Sequence, residues 1–416
     1  MREVTAQDEP LRLPVLPDVP FDYDAELPAY LLENNFGPEF TSQNAAIDND
    51  NTPADNPVTD AGATLGRVLF YDRQLSANQT TSCASCHLQA AGFSDPEIRS
   101  IGLSGGRTSR HSMSLVNARF FEPGTFFWDT RAPTLEDQVL EPIVDPLEMD
   151  MPLDEAVAVV GAQDYYPPLF EAAFGDESVS TERISLALAQ FIRSMVSVDS
   201  EYDRGRVEVD GPLEPFPNFS TAENAGKDLF FTGGGRSVSC ASCHVSEAFV
   251  NRPEGVGNNG LDFGGGDFGA FMVTNDEADL TRFKVPSLRS IARSAPYMHD
   301  GRFPSLEAVV QHYSSSVRPH PSLSEPLRNP DGSAFLFQFT QVEGDSLVAF
   351  LNTLTDDGLA TSEKWADPFT GEVFEVASAS VGPLADESGG ASPVLVFGGL
   401  LFLVVAGTLI RWMRRR

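Results

Sequence analysis

Along STERISLALAQFIRSMVS (181–197) the apolar residues Ile184, Leu188, Phe191, Ile192 and Met195 recur three or four positions apart. That spacing gathers them on one face of an amphipathic helix, and Ser180 stands where an N-cap is preferred. No stretch keeps the apolar–polar alternation of a half-buried strand, so the pattern predicts a mainly α chain. The Gly- and Pro-rich segments 204–219 and 253–270 read as linker and loop. Residues 1–60 are acidic and Pro-rich and are expected to wrap over the domain that follows. At the other end, VLVFGGLLFLVVAGTLIRW (394–412) follows ESGGASP and leads into Met413 and the arginines 414–416. That run is just long enough to cross a bilayer once. The arginines would then stay cytoplasmic and the acidic body outside. The same pattern also fits a sorting tail that is cleaved at the cell envelope.

The apolar pattern repeats over a longer range. GRVLFY (66–71) is answered by GKDLFF (226–231), SLVNAR (114–119) by SLRSIAR (287–293), and FWDTRAPTLEDQVLEP (127–142) by MHDGRFPSLEAVVQHY (298–313). The last pair aligns without a gap, and Pro133 and Pro304 are placed to open a helix, with Glu136 and Glu307 close behind. Repetition of this length means two copies of one domain. Two exchanges inside it stand out: Trp128 becomes His299, and Pro142 becomes Tyr313.

Composition adds chemistry. The formal net charge is −32, which excludes a nucleic-acid binder, whose phosphates need Lys and Arg. It fits either a solvated acidic surface or a docking field for a basic partner. All four cysteines lie in two identical motifs, SCASCH at 82–87 and at 239–244. None remains for a structural disulfide framework. CxxCH is the spacing of c-type haem attachment: two thiols reach the porphyrin vinyl groups and the adjoining His reaches the iron. Two covalently bound haem c groups are therefore expected, on Cys83 and Cys86 and on Cys240 and Cys243, with His87 and His244 as axial ligands. If the halves share a fold, Pro142 and Tyr313 face the two irons from equivalent places. Proline cannot coordinate iron and a tyrosine oxygen can, so one iron is expected to be open and the other capped.

The expected fold class is mainly α, with two tandem c-type cytochrome domains arising by internal duplication, long loops and a C-terminal transmembrane helix. The expected boundaries are an extension over 1–60, a first domain over 61–203 and a linker over 204–219. A second domain covers 220–358, a second linker 359–393, and the transmembrane helix or sorting tail 394–412.

LGRVLFYDRQLSANQTTSCASCH, FWDTRAPTLEDQVLEPI, the pair EM at 148–149 and FKVPSLRSIARSAPYMHDGRF follow one family's pattern. From 66 to 355 the chain resembles the bacterial di-haem cytochrome c peroxidases and the related enzyme MauG. The resemblance implies that the N-terminal haem reduces peroxide and the C-terminal haem receives electrons. It places Trp128 between the haems, and Gln138, Pro142 and Glu148 around the peroxide. Glu148, its pKa raised by an apolar pocket, would carry the proton from one peroxide oxygen to the other. Tyr313 falls where many of these peroxidases have an axial Met and where MauG has an axial Tyr. His312 and Met298 are the alternatives for that sixth ligand, and His299 is expected to prop the second haem site. The loop IGLSGGRTSR (101–110) lacks the histidine that caps the first haem in many relatives, as in MauG. His111 stands where relatives usually have an Asn that binds an interdomain calcium. A structural role is expected for it, with a distal ligand as the alternative, and the exchange counts against calcium.

The expected function is reduction of hydrogen peroxide to water with electrons from a small donor protein, a cytochrome c or a copper protein. The alternatives are a MauG-like oxidase that modifies a partner protein and a non-enzymatic di-haem electron carrier. An acid–base group over an open iron argues against the carrier. Covalent haem attachment in bacteria ordinarily takes place outside the cytoplasmic membrane. The expected location is therefore the periplasm or envelope exterior, anchored through the C-terminal helix. Residues 1–20 hold no apolar run of the signal-peptide kind, and the natural N-terminus is expected to lie upstream.

Overall fold

The longer helices mostly begin at a residue whose side chain closes the first turn. Thr59, Ser180, Ser220, Ser305 and Thr340 each accept a hydrogen bond from a backbone N–H two or three residues into the helix that follows. The computed structural model describes residues 11–250, 255–262 and 266–372. Their helices are α1 (Ala29–Leu32), α2 (Asp60–Tyr71), α3 (Leu135–Gln138), α4 (Glu141–Val144), α5 (Leu153–Gly161), α6 (Tyr166–Phe174), α7 (Thr181–Arg193), α8 (Glu201–Arg206), α9 (Thr221–Thr232), α10 (Phe271–Thr274), α11 (Leu306–Ser315), α12 (Gln341–Thr353) and α13 (Asp357–Thr361). The strand content described is one short antiparallel pair, β1 (Val256–Gly257) with β2 (Phe283–Lys284), in the register Val256↔Lys284.

Two hydrophobic cores form around two crossed helix pairs. In the first, Leu65, Leu69 and Phe70 of α2 meet Ile184, Leu188 and Phe191 of α7. In the second, Phe230 and Phe231 of α9 meet Leu347, Phe350 and Leu351 of α12. The Gly-x-x-Leu-Phe repeat marks these crossings. A Cβ on Gly66 would lie 2.0 Å from the Ala187 carbonyl oxygen, and one on Gly226 would lie 1.9 Å from that of Ser346. Backbone sits directly on backbone, so only glycine fits at either point. Four residues on, Phe70 packs edge to face on Phe191 at 5.3 Å, and Phe230 packs on Phe350 at 5.2 Å.

The backbones of the repeated segments part ahead of Pro142. Thr134 and Ser305 cap α3 and α11, and Pro133 and Pro304 stand just before those caps, one step outside the first turn expected for them. The helix α11 then runs unbroken through Tyr313. Its counterpart stops at Gln138 and restarts as α4 with Pro142 at its second residue. Proline has no N–H for the i→i−4 ladder and clashes with the preceding turn, so the helix breaks there.

The N-terminal segment reaches further than over the first domain. Tyr23 joins the first core, but Phe36 packs in the second, and the Tyr30 hydroxyl donates to Asp203 at 2.8 Å. Part of the expected linker is core as well, for Phe216 and Phe219 are buried beside Tyr202. A buried ion network crosses this region. Arg289 donates to Asp203 at 2.5 Å and to the Glu247 carbonyl at 2.6 Å, while Arg206 donates to the Glu247 carboxylate at 2.9 Å.

The membrane expectation is corrected. No helix among the described residues is long and apolar enough to cross a membrane, so among them the fold is mainly α with no transmembrane element. The segment expected to form it, 394–412, lies outside the described residues.

The crossing makes a specific demand. Gly226→Ala adds helix propensity of about 1 kcal/mol but forces apart two backbones whose overpacking costs about 1–3 kcal/mol or more. The melting temperature should fall by several degrees, measured by circular dichroism. An unchanged melting temperature would mean the helices can separate freely.

Candidate active site

Each SCASCH motif folds into a single tight turn whose six residues bond among themselves. Backbone N–H groups of Ser82 and Ser239 donate to the hydroxyls of Ser85 and Ser242, at 3.0 and 3.3 Å. The N–H groups of His87 and His244 donate to the carbonyls of Cys83 and Cys240, both at 3.0 Å. The identity of the two motifs thus includes its serines for a geometric reason.

The histidines are braced from behind. Nδ1 of His87 faces the Phe93 carbonyl at 2.9 Å, and Nδ1 of His244 faces the Phe249 carbonyl at 3.4 Å. Both phenylalanines have positive φ, 55° and 52°, which turns those carbonyls back toward the rings. The Ser-Leu repeat completes the brace. Ser114 and Ser287 donate to the carbonyls of Gly92 and Ala248 at 2.7 Å, and the N–H groups of Leu115 and Leu288 donate to Phe93 and Phe249. With Nδ1 donating, Nε2 keeps its lone pair for a metal. Burial lowers the pKa of both rings, that of His244 to about 4, so they stay neutral and able to ligate.

Cys83, Cys86 and His87 line one cavity, and Cys240, Cys243 and His244 line a second. They are of similar size, about 1430 and 1390 Å³ of space unfilled by protein and partly open to solvent. None of the four cysteines is in a disulfide. Burial pushes the Cys83, Cys86 and Cys240 thiols up to about 12. A redox CxxC pair has its thiol pKa lowered, so this environment fits thioether attachment instead. Thiols, a neutral imidazole and a largely apolar hollow suit a haem in each cavity.

The two linings differ at matched positions. Gln138, Val139 and Pro142 line the first cavity, where Val309, Val310 and Tyr313 line the second. The first cavity also gains Glu148, from the turn after α4. Burial, reinforced by Asp145, pushes its carboxyl up to about 7, against the pull of Arg131. The loop 101–110 steadies it, since the Leu103 N–H donates to the Glu148 carbonyl at 3.1 Å. Neither the Gln138 amide nor the Glu148 carboxyl has a hydrogen-bond partner among the described residues, and both border the cavity. In the second cavity, burial raises the Tyr313 pKa. Met298 lines the same wall, its sulfur 3.3 Å from the Asn259 amide. His312 does not border this cavity; its Nε2 turns to the Asn259 carbonyl at 2.9 Å.

Trp128 borders both cavities. Its indole meets His299 edge to face at 6.4 Å, so the two exchanged residues of the repeat touch each other at the junction of the halves. Nε1 of Trp128 donates to the His111 carbonyl at 2.7 Å, the His111 N–H donates to the His299 carbonyl at 2.9 Å, and His299 stacks on Phe283 at 3.7 Å. The His111 ring is buried, one nitrogen facing Ser94 Oγ and the other the Glu97 carbonyl, both at 3.1 Å.

Sequence reasoning missed Phe93 and Phe249, although a phenylalanine five or six residues past each haem histidine was visible. It also missed Lys284, a residue of β2 that borders both cavities and has no signal beyond its place in FKVP.

Comparison with known proteins bears on the same residues. The family model described as di-haem cytochrome c peroxidase matches residues 60–208. The methylamine utilization protein MauG of Methylorubrum extorquens is 36% identical over 306 residues, covering 73% of this chain and 80% of that protein. The cytochrome c551 peroxidase of Nitrosomonas europaea is 30% identical over 339 residues, covering 79% of this chain and 90% of the relative. A crystal structure of a MauG-like protein associated with microbial copper homeostasis superposes with a TM-score of 0.67 at 34% identity, covering 82% of this chain and 98% of that one. With two CxxCH cavities, two haems implied and relatives that are peroxidases, this chain belongs to the di-haem cytochrome c peroxidase and MauG family of oxidoreductases.

Proposed function

We propose that the chain reduces hydrogen peroxide to water in the first cavity, with electrons that enter at the second haem from a small basic redox protein. The asymmetry of the two linings carries this reading: an unpartnered amide and carboxyl beside Pro142 in one, valines and Tyr313 in the other. Each haem, when bound, supplies an iron that exchanges electrons and, in the first cavity, a place where peroxide is reduced. His87 and His244 would hold the irons on one face. Pro142 brings no ligand atom to the first cavity, whereas Tyr313, or else Met298, would supply one to the iron in the second. Glu148 takes the proton from one peroxide oxygen and returns it to the other, for which a pKa near neutrality suits it. Gln138 offers an amide N–H to the bound peroxide. Trp128, in contact with both cavities, is the bridge for electrons.

A second reading is a MauG-like oxidase that modifies a partner protein. The tyrosine in the second cavity and the histidine-free loop favour it.

Glu148→Gln keeps the shape but cannot cycle a proton. Peroxide turnover should fall by about 10²–10⁴-fold. Because the ionised carboxylate must accept the proton first, wild-type kcat/KM should rise with pH through about 7 and then level off. The variant should lose that limb. Wild-type turnover in the variant would make Glu148 a bystander. In the same stopped-flow experiment, Trp128→Phe should leave the first reaction with peroxide intact and slow the arrival of oxidising equivalents at the second haem.

Tyr313→Phe removes the capping oxygen alone. The low-spin EPR signal of the oxidised protein should change and the high-spin signal should persist. If the low-spin signal is unmoved, Met298 is the cap.

A surface with net charge −32 draws basic donors chiefly through the association rate. Turnover with a basic cytochrome c should fall steeply as ionic strength rises, and a flat salt profile would rule out electrostatic docking.

A further inference from the structure

Lys284 is 5% exposed, and its ammonium is held by aromatic faces rather than by an acid. Nζ lies 3.8 Å from the ring centre of Phe121 and 4.1 Å from that of Phe126, and its hydrogen bond to the Thr125 carbonyl is long, at 3.4 Å. No carboxylate among the described residues is within ion-pair distance of it. Burial of a cation without an anion is costly, and proteins normally pair or coordinate such groups. The residue borders both cavities, but Phe121 and Phe126, the rings around Nζ, line only the first.

The other strong cations of that lining are already matched. Arg110 holds Asp129 and Asp267, each at 2.6 Å, and Arg131 holds Asp129 at 3.1 Å and Glu141 at 2.9 Å. Lys284 is the remaining lysine or arginine of the first cavity, and among the described residues it has no acidic partner. A haem in that largely apolar hollow carries propionate carboxylates, which need a cation as much as this lysine needs an anion.

We propose that Lys284 is the counter-cation of a porphyrin carboxylate in the first cavity, and that this pairing helps to set the reduction potential of the haem there. The proposal rests on the two-haem reading of the chain. Burial of the lysine pushes its pKa down to about 7 when no anion is present, and a carboxylate beside it would restore the charge. Its backbone is fixed as well, since the Lys284 N–H donates to the Trp128 carbonyl at 2.8 Å. The charge is thereby placed at the junction and cannot drift with a surface loop. A fixed cation stabilises the iron's extra electron on reduction, so it raises the potential.

The test is a spectroelectrochemical titration of the mature di-haem protein against Lys284→Met and Lys284→Arg. Covalent attachment through the cysteines should leave two haems in each variant, and loss of a haem from the wild type itself would count against the two-haem reading rather than this one. In Lys284→Met the reduction equilibrium of the first haem should shift about tenfold toward the oxidised form, which is ~59 mV for a one-electron couple. The second haem should move far less, and Lys284→Arg should stay near wild type. The resonance Raman propionate bending band of the first haem should shift in the methionine variant only, a change that mere loosening of the junction would not produce. If the methionine variant does not mature, Lys284→Gln makes the same comparison with a polar neutral side chain. An unchanged first potential and an unchanged propionate band overturn the proposal, and a shift confined to the second haem overturns its assignment to the first cavity.

Discussion

The hydrogen bond from each CxxCH histidine to the carbonyl of a left-handed phenylalanine is the interaction on which the rest of this structure turns. It orients the imidazole, which burial keeps neutral, and leaves Nε2 free for the cavity, while the adjoining turn presents the thiols. The carbonyls of Phe93 and Phe249 cannot do this alone. They are held by the Leu N–H of the Ser-Leu repeat, and the phenyl rings rest on Phe70 and Phe230, next to the crossing where a glycine lets two helices touch. In the second half a further support runs through Arg289, which grips the Glu247 carbonyl and Asp203. Removing one partner of such a buried pair typically costs about 3–5 kcal/mol, so the haem turn there is tied to α8 and, through Tyr30, to the N-terminal segment.

Duplication supplied two such units, and a few exchanges made them unequal. Pro142 has two effects at once. It puts a ring with no ligand atom where α11 carries Tyr313, and it breaks the helix that α11 keeps intact, so that the chain turns and brings Glu148 to the cavity wall. Trp128 and His299 are likewise one position in two copies. Because they meet at the junction, the contact between the two cavities is unsymmetrical.

The helical class, the two CxxCH motifs and the duplication were legible from residue types and spacing, because they depend on local patterns, whereas Gln138 and Glu148 were reached only through the family resemblance. Alignment of the repeats was enough to pair Pro142 with Tyr313. The N-cap at Ser180 and the helix from Thr181 followed from periodicity and capping alone. The apolar C-terminal run was as legible, but it lies outside the described residues, none of whose helices is long and apolar enough to cross a membrane.

Tertiary structure decided the rest. No spacing rule says that Met298 faces the second cavity while His312 turns to a backbone carbonyl, because that depends on the direction of side chains on a helix packed against a loop from elsewhere in the chain. Nor could sequence show that Gly66 and Gly226 are points of backbone contact, for the partner residues Ala187 and Ser346 lie more than a hundred positions away. Lys284 is the clearest case. A lysine in FKVP reads as an ordinary surface charge, and only the rings of Phe121 and Phe126, brought in from the other half, reveal a buried cation without an acid beside it. Sequence fixes which groups are available and how they repeat; burial and pairing are set by distant parts of the chain, and those decide what the groups can do.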